Sequence, residues 1–238
     1  MSSALARLLR AAIDTFAPRH CAVCGRRLSA YERCVCAECS LKLPYTGFGA
    51  RRDNPLERLL IGRFPLGRAS AYIFYSGGED VRSLLFALKY RRQPRVGHEM
   101  GRRMATELKS QGFFSGIDTI VPVPLSRRRE AHRGYNQSLM IAKGVGEVAG
   151  ITVEPRLIAR IIDNPTQTRL SPQERAGNVK GIFRATNAAK IAGRHILIID
   201  DMITTGATTT ACADTLAAAG AKKISVLTLA ASPSIAVW

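Results

Sequence analysis

Residues 196–209 read ILIIDDMITTGATT. Ile196, Leu197, Ile198 and Ile199 form an uninterrupted aliphatic run, the pattern of a short strand buried on both faces of a parallel sheet. Asp200 and Asp201 then fall at the strand's carboxyl end, the edge at which open α/β sheets bind ligands. Thr204, Thr205, Gly206, Ala207 and Thr208 follow, small and hydroxyl-rich, and lead into a helix expected over 208–219. A helix N-terminus with free amides attracts anions, phosphate above all. Two carboxylates repel a bare phosphate but accept hydrogen bonds from a diol beside it. The combination points to a sugar phosphate. The alternative, an ordinary strand-to-helix connection with a capping Thr, leaves the buried carboxylates unexplained.

The same alternation extends in both directions. Residues 117–123, IDTIVPV, read as another buried strand, which Pro122 and Pro124 end and stiffen because proline cannot donate to a ladder. The strand delivers Ser126, Arg127, Arg128 and Arg129 onto an expected loop, and Arg133, Gly134, Tyr135, Asn136 and Gln137 open the next helix. Three consecutive arginines there can hold a diphosphate by charge-assisted hydrogen bonds, or form a solvated basic loop. Further upstream, 69–75 reads as a strand. Val81, Leu84, Leu85 and Leu88 then recur at helical spacing after Gly77 and Gly78, ending in Lys89, Tyr90, Arg91 and Arg92, and a second helix is expected over 96–109. The last strand is expected over 224–230. Alternating strands and helices give an α/β domain, a doubly wound parallel sheet, over 66–238, with 51–65 as a Pro-, Gly- and Arg-rich linker.

Ahead of that linker lies a different chemistry. Five of the six cysteines fall between Cys21 and Cys39. Cys21 and Cys24, then Cys36 and Cys39, make paired C-x2-C turns, which bring four thiolates to a tetrahedral zinc. Two disulfides are the alternative and need an oxidising compartment. Cys34 competes for the third position, but only Cys36 repeats the spacing of the first pair. Four thiolates leave no open coordination position, so the metal is expected to be structural, and a module this small needs it to fold. Residues 1–50 are therefore read as a helix plus zinc module. The helix, over 1–16, is amphipathic, with Leu5, Leu8, Leu9, Ile13 and Phe16 on one face, suited to packing on its own domain or to a membrane surface.

The chain has 238 residues, 46% of them hydrophobic, enough for one medium domain and a small appendage. Lys and Arg number 35 against 18 Asp and Glu, a formal charge of +17, and residues 51–143 alone hold 18 basic and 8 acidic side chains. Such an excess attracts nucleic acid or a polyphosphate substrate, or simply keeps the protein dissolved. No apolar run reaches the ~18 residues of a spanning helix, and no secretory signal is recognisable, so a cytoplasmic location is expected. Cys212 reads as a small core residue, and the four histidines show no ligand spacing.

The segment 200–208 resembles the phosphoribosyl-pyrophosphate (PRPP) signature of type I phosphoribosyltransferases. Leu88-Lys89-Tyr90, Pro122-Val123-Pro124 with its arginine run, and Arg133-Gly134-Tyr135-Asn136-Gln137 resemble the ComF family of competence-associated proteins, where Phe is more usual than Tyr135. A further ComF-like block comprises Thr166, Gln167, Leu170, Ser171, Arg175, Asn178, Val179 and Phe183, in which Gln167, Arg175 and Asn178 are candidates for shaping the site. Ser171, Pro172 and Glu174 also make sense as a local helix cap. The resemblance covers nearly the whole chain. It implies that Asp200 and Asp201 hold the ribose hydroxyls and that Thr204, Thr205, Gly206, Ala207 and Thr208 wrap the 5′-phosphate. It further implies that Arg128, Arg129 and Arg133 grip the diphosphate, that Mg2+ accompanies PRPP, and that Asp200, Asp201 and Arg129 are the catalytic candidates. Hypoxanthine-guanine transferases carry Asp where this chain has Thr204, which argues against purine salvage. ComF resemblance also implies single-stranded DNA and a DNA-uptake helicase-like protein as partners, so that the site either transfers phosphoribose or serves a DNA-binding module as a regulatory ligand site.

Overall fold

A computed structural model describes residues 18–75, 78–162 and 181–237. The expected helix over 1–16, Gly77, and the Thr166 to Val179 block lie outside the described residues.

Four strands form one parallel sheet. They are β1 (Leu66–Phe74), β2 (Thr119–Pro122), β5 (His195–Ile203) and β6 (Lys223–Ala231), in the order β1-β6-β5-β2. β5 is flanked on both sides, by β6 from His195↔Lys223 to Ile203↔Ala231 and by β2 from Thr119↔Ile196 to Pro122↔Ile199. Its side chains alternate between two cores, as a doubly covered strand requires. Leu197 and Ile199 pack with Met100 and Ile141 on one face, whereas Ile196 and Ile198 pack with Leu56, Cys212 and Leu216 on the other. Each of these isoleucines is fully buried, worth about 1.5–3 kcal/mol relative to exposure.

The first face is covered by α3 (Glu79–Tyr90), α4 (Pro94–Ser110) and α6 (Gln137–Ala149), the second by α2 (Pro55–Leu60) and α7 (Ala207–Ala218). The remaining elements are α1 (Ala37–Lys42), α5 (Arg127–Arg133) and a two-stranded antiparallel ribbon of β3 (Ile158–Arg160) and β4 (Phe183–Ala185). The layers match the expected doubly wound parallel sheet. α4 and α6 cross so closely that a Cβ on Gly101 would lie 2.2 Å from the Ile141 carbonyl oxygen and one on Gly144 would lie 2.0 Å from that of His98.

Three local readings change. β5 runs four residues past Ile199, because pairing with β6 continues through Asp200↔Thr228 after β2 has stopped at Pro122. The stretch 51–65 contains α2, capped by Asn54 Oδ1 on the Leu56 and Glu57 amides and started by Pro55, with Leu56 and Leu60 fully buried. Arginines 127–129, expected on a loop, lie on α5. Ser126 Oγ accepts from the Arg129 amide at 3.4 Å, Glu130 sits in the first turn, and Gly134 at φ 82° donates its N–H to the Glu130 carbonyl.

The cysteine module packs on the first face. Ala22, Leu28, Val35 and Leu43 join the core that contains Met100 and Met104 of α4. Arg33 pairs with Glu99 at 3.2 Å, and the Arg103 guanidinium donates to the Ser40 hydroxyl and the Val35 carbonyl.

Candidate functional site

Asp200 is the first residue of β5 past the end of β2, where pairing with β2 has stopped at Pro122↔Ile199. It is 7% exposed, and its Oδ1 accepts from the Ser138 hydroxyl at 2.9 Å and from the Asp201 amide at 2.8 Å. Burial, reinforced by the neighbouring Asp201 charge, pushes its carboxyl up to about 8. Asp201 turns instead toward α3, where its Oδ2 is 2.8 Å from the Lys89 ammonium. Two adjacent carboxylates thus have separate environments, one burial-dominated and one ion-paired.

Asp200 faces a cavity of about 190 Å³ whose wall is Thr204 to Thr209, the turn and first residues of α7. The cap of α7 is Gly206, at φ 78°, which has no side chain to cap the helix, and the Thr205 hydroxyl accepts from the Ala207 amide at 3.4 Å. That conformation suits glycine, and a Cβ there would sit 3.1 Å from Leu60 and 3.3 Å from Arg63. Arg63 fixes the turn by donating to the Thr205 carbonyl at 3.0 Å. The opposite wall is the β3–β4 ribbon, with Arg160, Ile182 and Phe183, the Arg160 guanidinium lying over the Phe183 ring. A buried carboxyl, a glycine-capped helix N-terminus and a nearby arginine therefore share one enclosure, which can accept a polar ligand that is anionic at one end and hydroxylated at the other.

Asp200, Thr204, Thr205, Gly206, Ala207 and Thr208 line one cavity, while Asp201 stands behind them on Lys89. Arg128 and Arg129 are exposed on α5 and are not part of the cavity wall. Arg133 donates to Gln137 at 2.9 Å and lies over the Tyr90 ring. Asn136 has a local task, accepting from the Leu139 amide and donating to the Val123 carbonyl, which ties α6 to the exit of β2. Tyr135 donates its hydroxyl to the Leu88 carbonyl. Lys89, Ser138, Arg63 and Arg160 had no site role in the sequence reading. Lys89 and Ser138 lay inside or next to quoted motifs, whereas nothing local marks the other two.

The four predicted ligands Cys21, Cys24, Cys36 and Cys39 bring their sulfurs within 4.8 Å of one another. Cys24 and Cys36 sulfurs are 3.9 Å apart, close to the ~3.8 Å separation of thiolates at ~2.3 Å from a tetrahedral zinc. Backbone amides of Cys36 and Cys39 point at the Cys21 and Cys36 sulfurs. Burial alone would raise Cys36, but hydrogen bonds led by the Cys39 amide outweigh it and bring the thiol down to about 7. Cys34 is outside the group, buried, and raised by that burial to about 11. The cluster can hold a metal ion, and its donor set is compatible with structural zinc.

No helix among the described residues is long and apolar enough to cross a membrane. The profile of the phosphoribosyl transferase domain matches residues 142–236, which hold the Asp200 cavity. Competence protein F of Haemophilus influenzae is 32% identical over 88% of this chain and 89% of its own length. The DNA utilization protein YhgH of Escherichia coli is 28% identical over 87% of each chain. Among solved structures, a glutamine PRPP amidotransferase from B. subtilis matches at 21% identity over 60% of this chain and 30% of that one, with a TM-score of 0.41. With a relative above 30% identity spanning almost its whole length and a phosphoribosyl transferase domain around its carboxylate cavity, this chain belongs to the ComF family of competence-associated proteins.

Proposed function

We propose that the chain binds PRPP at the Asp200 cavity and uses it in handling DNA during uptake. The observation that carries the reading is the enclosure itself, a buried carboxyl sharing a cavity with the glycine-capped N-terminus of α7. In this reading Asp200 and Asp201 hold the ribose hydroxyls and Thr204, Thr205, Gly206, Ala207 and Thr208 wrap the 5′-phosphate. Arg128, Arg129 and Arg133 meet the diphosphate. Magnesium, a hard cation that binds substrate phosphates together with one or two carboxylates, would arrive with PRPP and neutralise the leaving diphosphate, with Asp200 and Asp201 as the facing carboxylates. Transfer would break the bond between the anomeric carbon and pyrophosphate as an acceptor nucleophile attacks that carbon. The protein's share is positioning, charge neutralisation and exclusion of water, with Arg129 beside the departing group.

Residues 1–50 form the N-terminal helix and zinc module in this account, and 66–238 the transferase-like domain, on which α2 of the connecting stretch 51–65 packs. Single-stranded DNA and a helicase-like protein are the partners, and the cytoplasm is the compartment. A second reading keeps PRPP as a regulatory ligand without turnover, and one observation favours it: Asp201, one of the catalytic candidates, is engaged by Lys89.

Thermal denaturation with PRPP and Mg2+, followed by measurement of pyrophosphate release with candidate acceptors, tests both. Ligand at 100 times its Kd adds about 2.7 kcal/mol, a readable rise in Tm. A rise with pyrophosphate release supports the transferase, and a rise without release supports the regulatory reading. No rise contradicts both.

A further inference from the structure

Behind Asp201 the molecule carries a second open cavity, of about 310 Å³, that the sugar-phosphate reading does not use. Met202 lines both cavities, and Lys89, ion-paired to Asp201, belongs to the wall of this one. Its outer rim is made of two rings one helical turn apart on α3. Phe86 and Tyr90 are 48% and 52% exposed, unlike Leu84, Leu85 and Leu88 on the buried side of the same helix. Their centroids are 5.0 Å apart. The Arg91 guanidinium lies 5.8 Å from the Phe86 centroid, and Arg133, from α5, lies 5.4 Å from that of Tyr90. The result is an alternating row of cation, ring, ring and cation, with Arg82 beside it. Among the described residues, Arg82, Arg91 and Arg133 form no ion pair with a carboxylate.

Half-exposed rings with flanking guanidiniums are the components by which proteins hold single strands, bases stacking on rings while cations meet phosphates. We propose that this ledge stacks a nucleobase carried by a single-stranded nucleic acid, with Arg91 and Arg133 on the phosphates to either side. The planar base is the chemistry recognised, and a free base is its other possible source. The inference rests on the DNA-handling part of the proposed function and shares Arg133 with the proposed diphosphate grip. Met202, which lines both cavities, would lie against both ligands.

The test uses the full chain and a fluorescent thymidine oligonucleotide of about 20 nucleotides, with anisotropy measured across a salt series. Phe86→Ala/Tyr90→Ala is expected to weaken binding about tenfold or more with the salt slope unchanged, because it removes stacking and no charge. Arg91→Ala/Arg133→Ala is expected to flatten the slope. An abasic strand of equal length should bind wild type no better than the intact strand binds the ring variant. Asp200→Asn, which leaves the Asp201–Lys89 pair in place, should bind the oligonucleotide as wild type does, so a failed PRPP site and a failed ledge give different results. If the abasic strand binds wild type as tightly as the intact one, a single-stranded partner at the ledge is refuted. Ring-dependent binding of adenine or thymine alone would then assign the ledge to a free base. Oligonucleotide affinity and base binding both indifferent to the ring substitutions would overturn the proposal entirely. Unchanged melting temperatures, expected for two half-exposed side chains, show that the variants are folded.

Discussion

Replacing Asp200 by Asn should make the protein more stable while removing its ligand. In the folded chain the Asp200 carboxyl keeps its proton up to about pH 8, whereas in the unfolded chain it ionises near 3.8. Between those limits the folded state binds more protons, so the group's contribution to stability falls as pH rises from about 4 to about 8 and is level above. Each unit of displacement corresponds to about 1.4 kcal/mol, which puts the loss between pH 5 and pH 8.5 at about 2–5 kcal/mol. An Asn side chain keeps an acceptor for the Ser138 hydroxyl and the Asp201 amide and carries no ionisable proton. Urea unfolding of both proteins at pH 5, 6.5 and 8.5 reads the difference directly. The variant's advantage over wild type should grow by about 2–5 kcal/mol across that range, because opposing terms such as Glu32, held down to about 2 by the Ser29 amide, cancel in the comparison. An advantage that stays flat with pH would mean that Asp200 is ionised throughout, and the burial argument would fail.

Other substitutions probe the remaining supports. Lys89→Met leaves Asp201 partly buried without its cation and should destabilise the chain by about 1–3 kcal/mol in thermal denaturation at pH 7. Gly206→Ala places a Cβ against Leu60 and Arg63 at φ 78° and should lose about 1–2 kcal/mol together with affinity for PRPP, both read by melting with and without ligand. Metal analysis should find one zinc per chain in wild type and in Cys34→Ser, and none in Cys36→Ser. Zinc lost from both variants alike would contradict the assignment of the four ligands.

Much of this was legible because its signals are local. Ile196 to Ile199 sit between two strands, so no polar side chain interrupts the run, and both flanking cores are written into four letters. The C-x2-C pairs needed only their spacing, and Cys34 was separable because Cys36 and Cys39 repeat the first turn. The arginines misled by composition. Three in a row resemble a loop, but Ser126 and Gly134 are the caps of a helix, and α5 presents Arg128 and Arg129 to solvent. The Pro-rich appearance of 51–65 likewise hid Asn54 and Pro55, a cap and a first helical residue. Contacts between distant segments carried no sequence signal at all. Lys89 reaches Asp201 of β5 from α3, Arg160 reaches the cavity from a three-residue strand, and the row Arg91, Phe86, Tyr90 and Arg133 exists only because α5 lies beside the end of α3.

The central claim is that the enclosure of Asp200 and the α7 N-terminus binds PRPP. Isothermal titration of PRPP with Mg2+ into wild type and into Asp200→Asn/Asp201→Asn tests it most directly. The account predicts saturable binding of one PRPP per chain to wild type and loss of that heat in the variant. Equal binding by both proteins would contradict it.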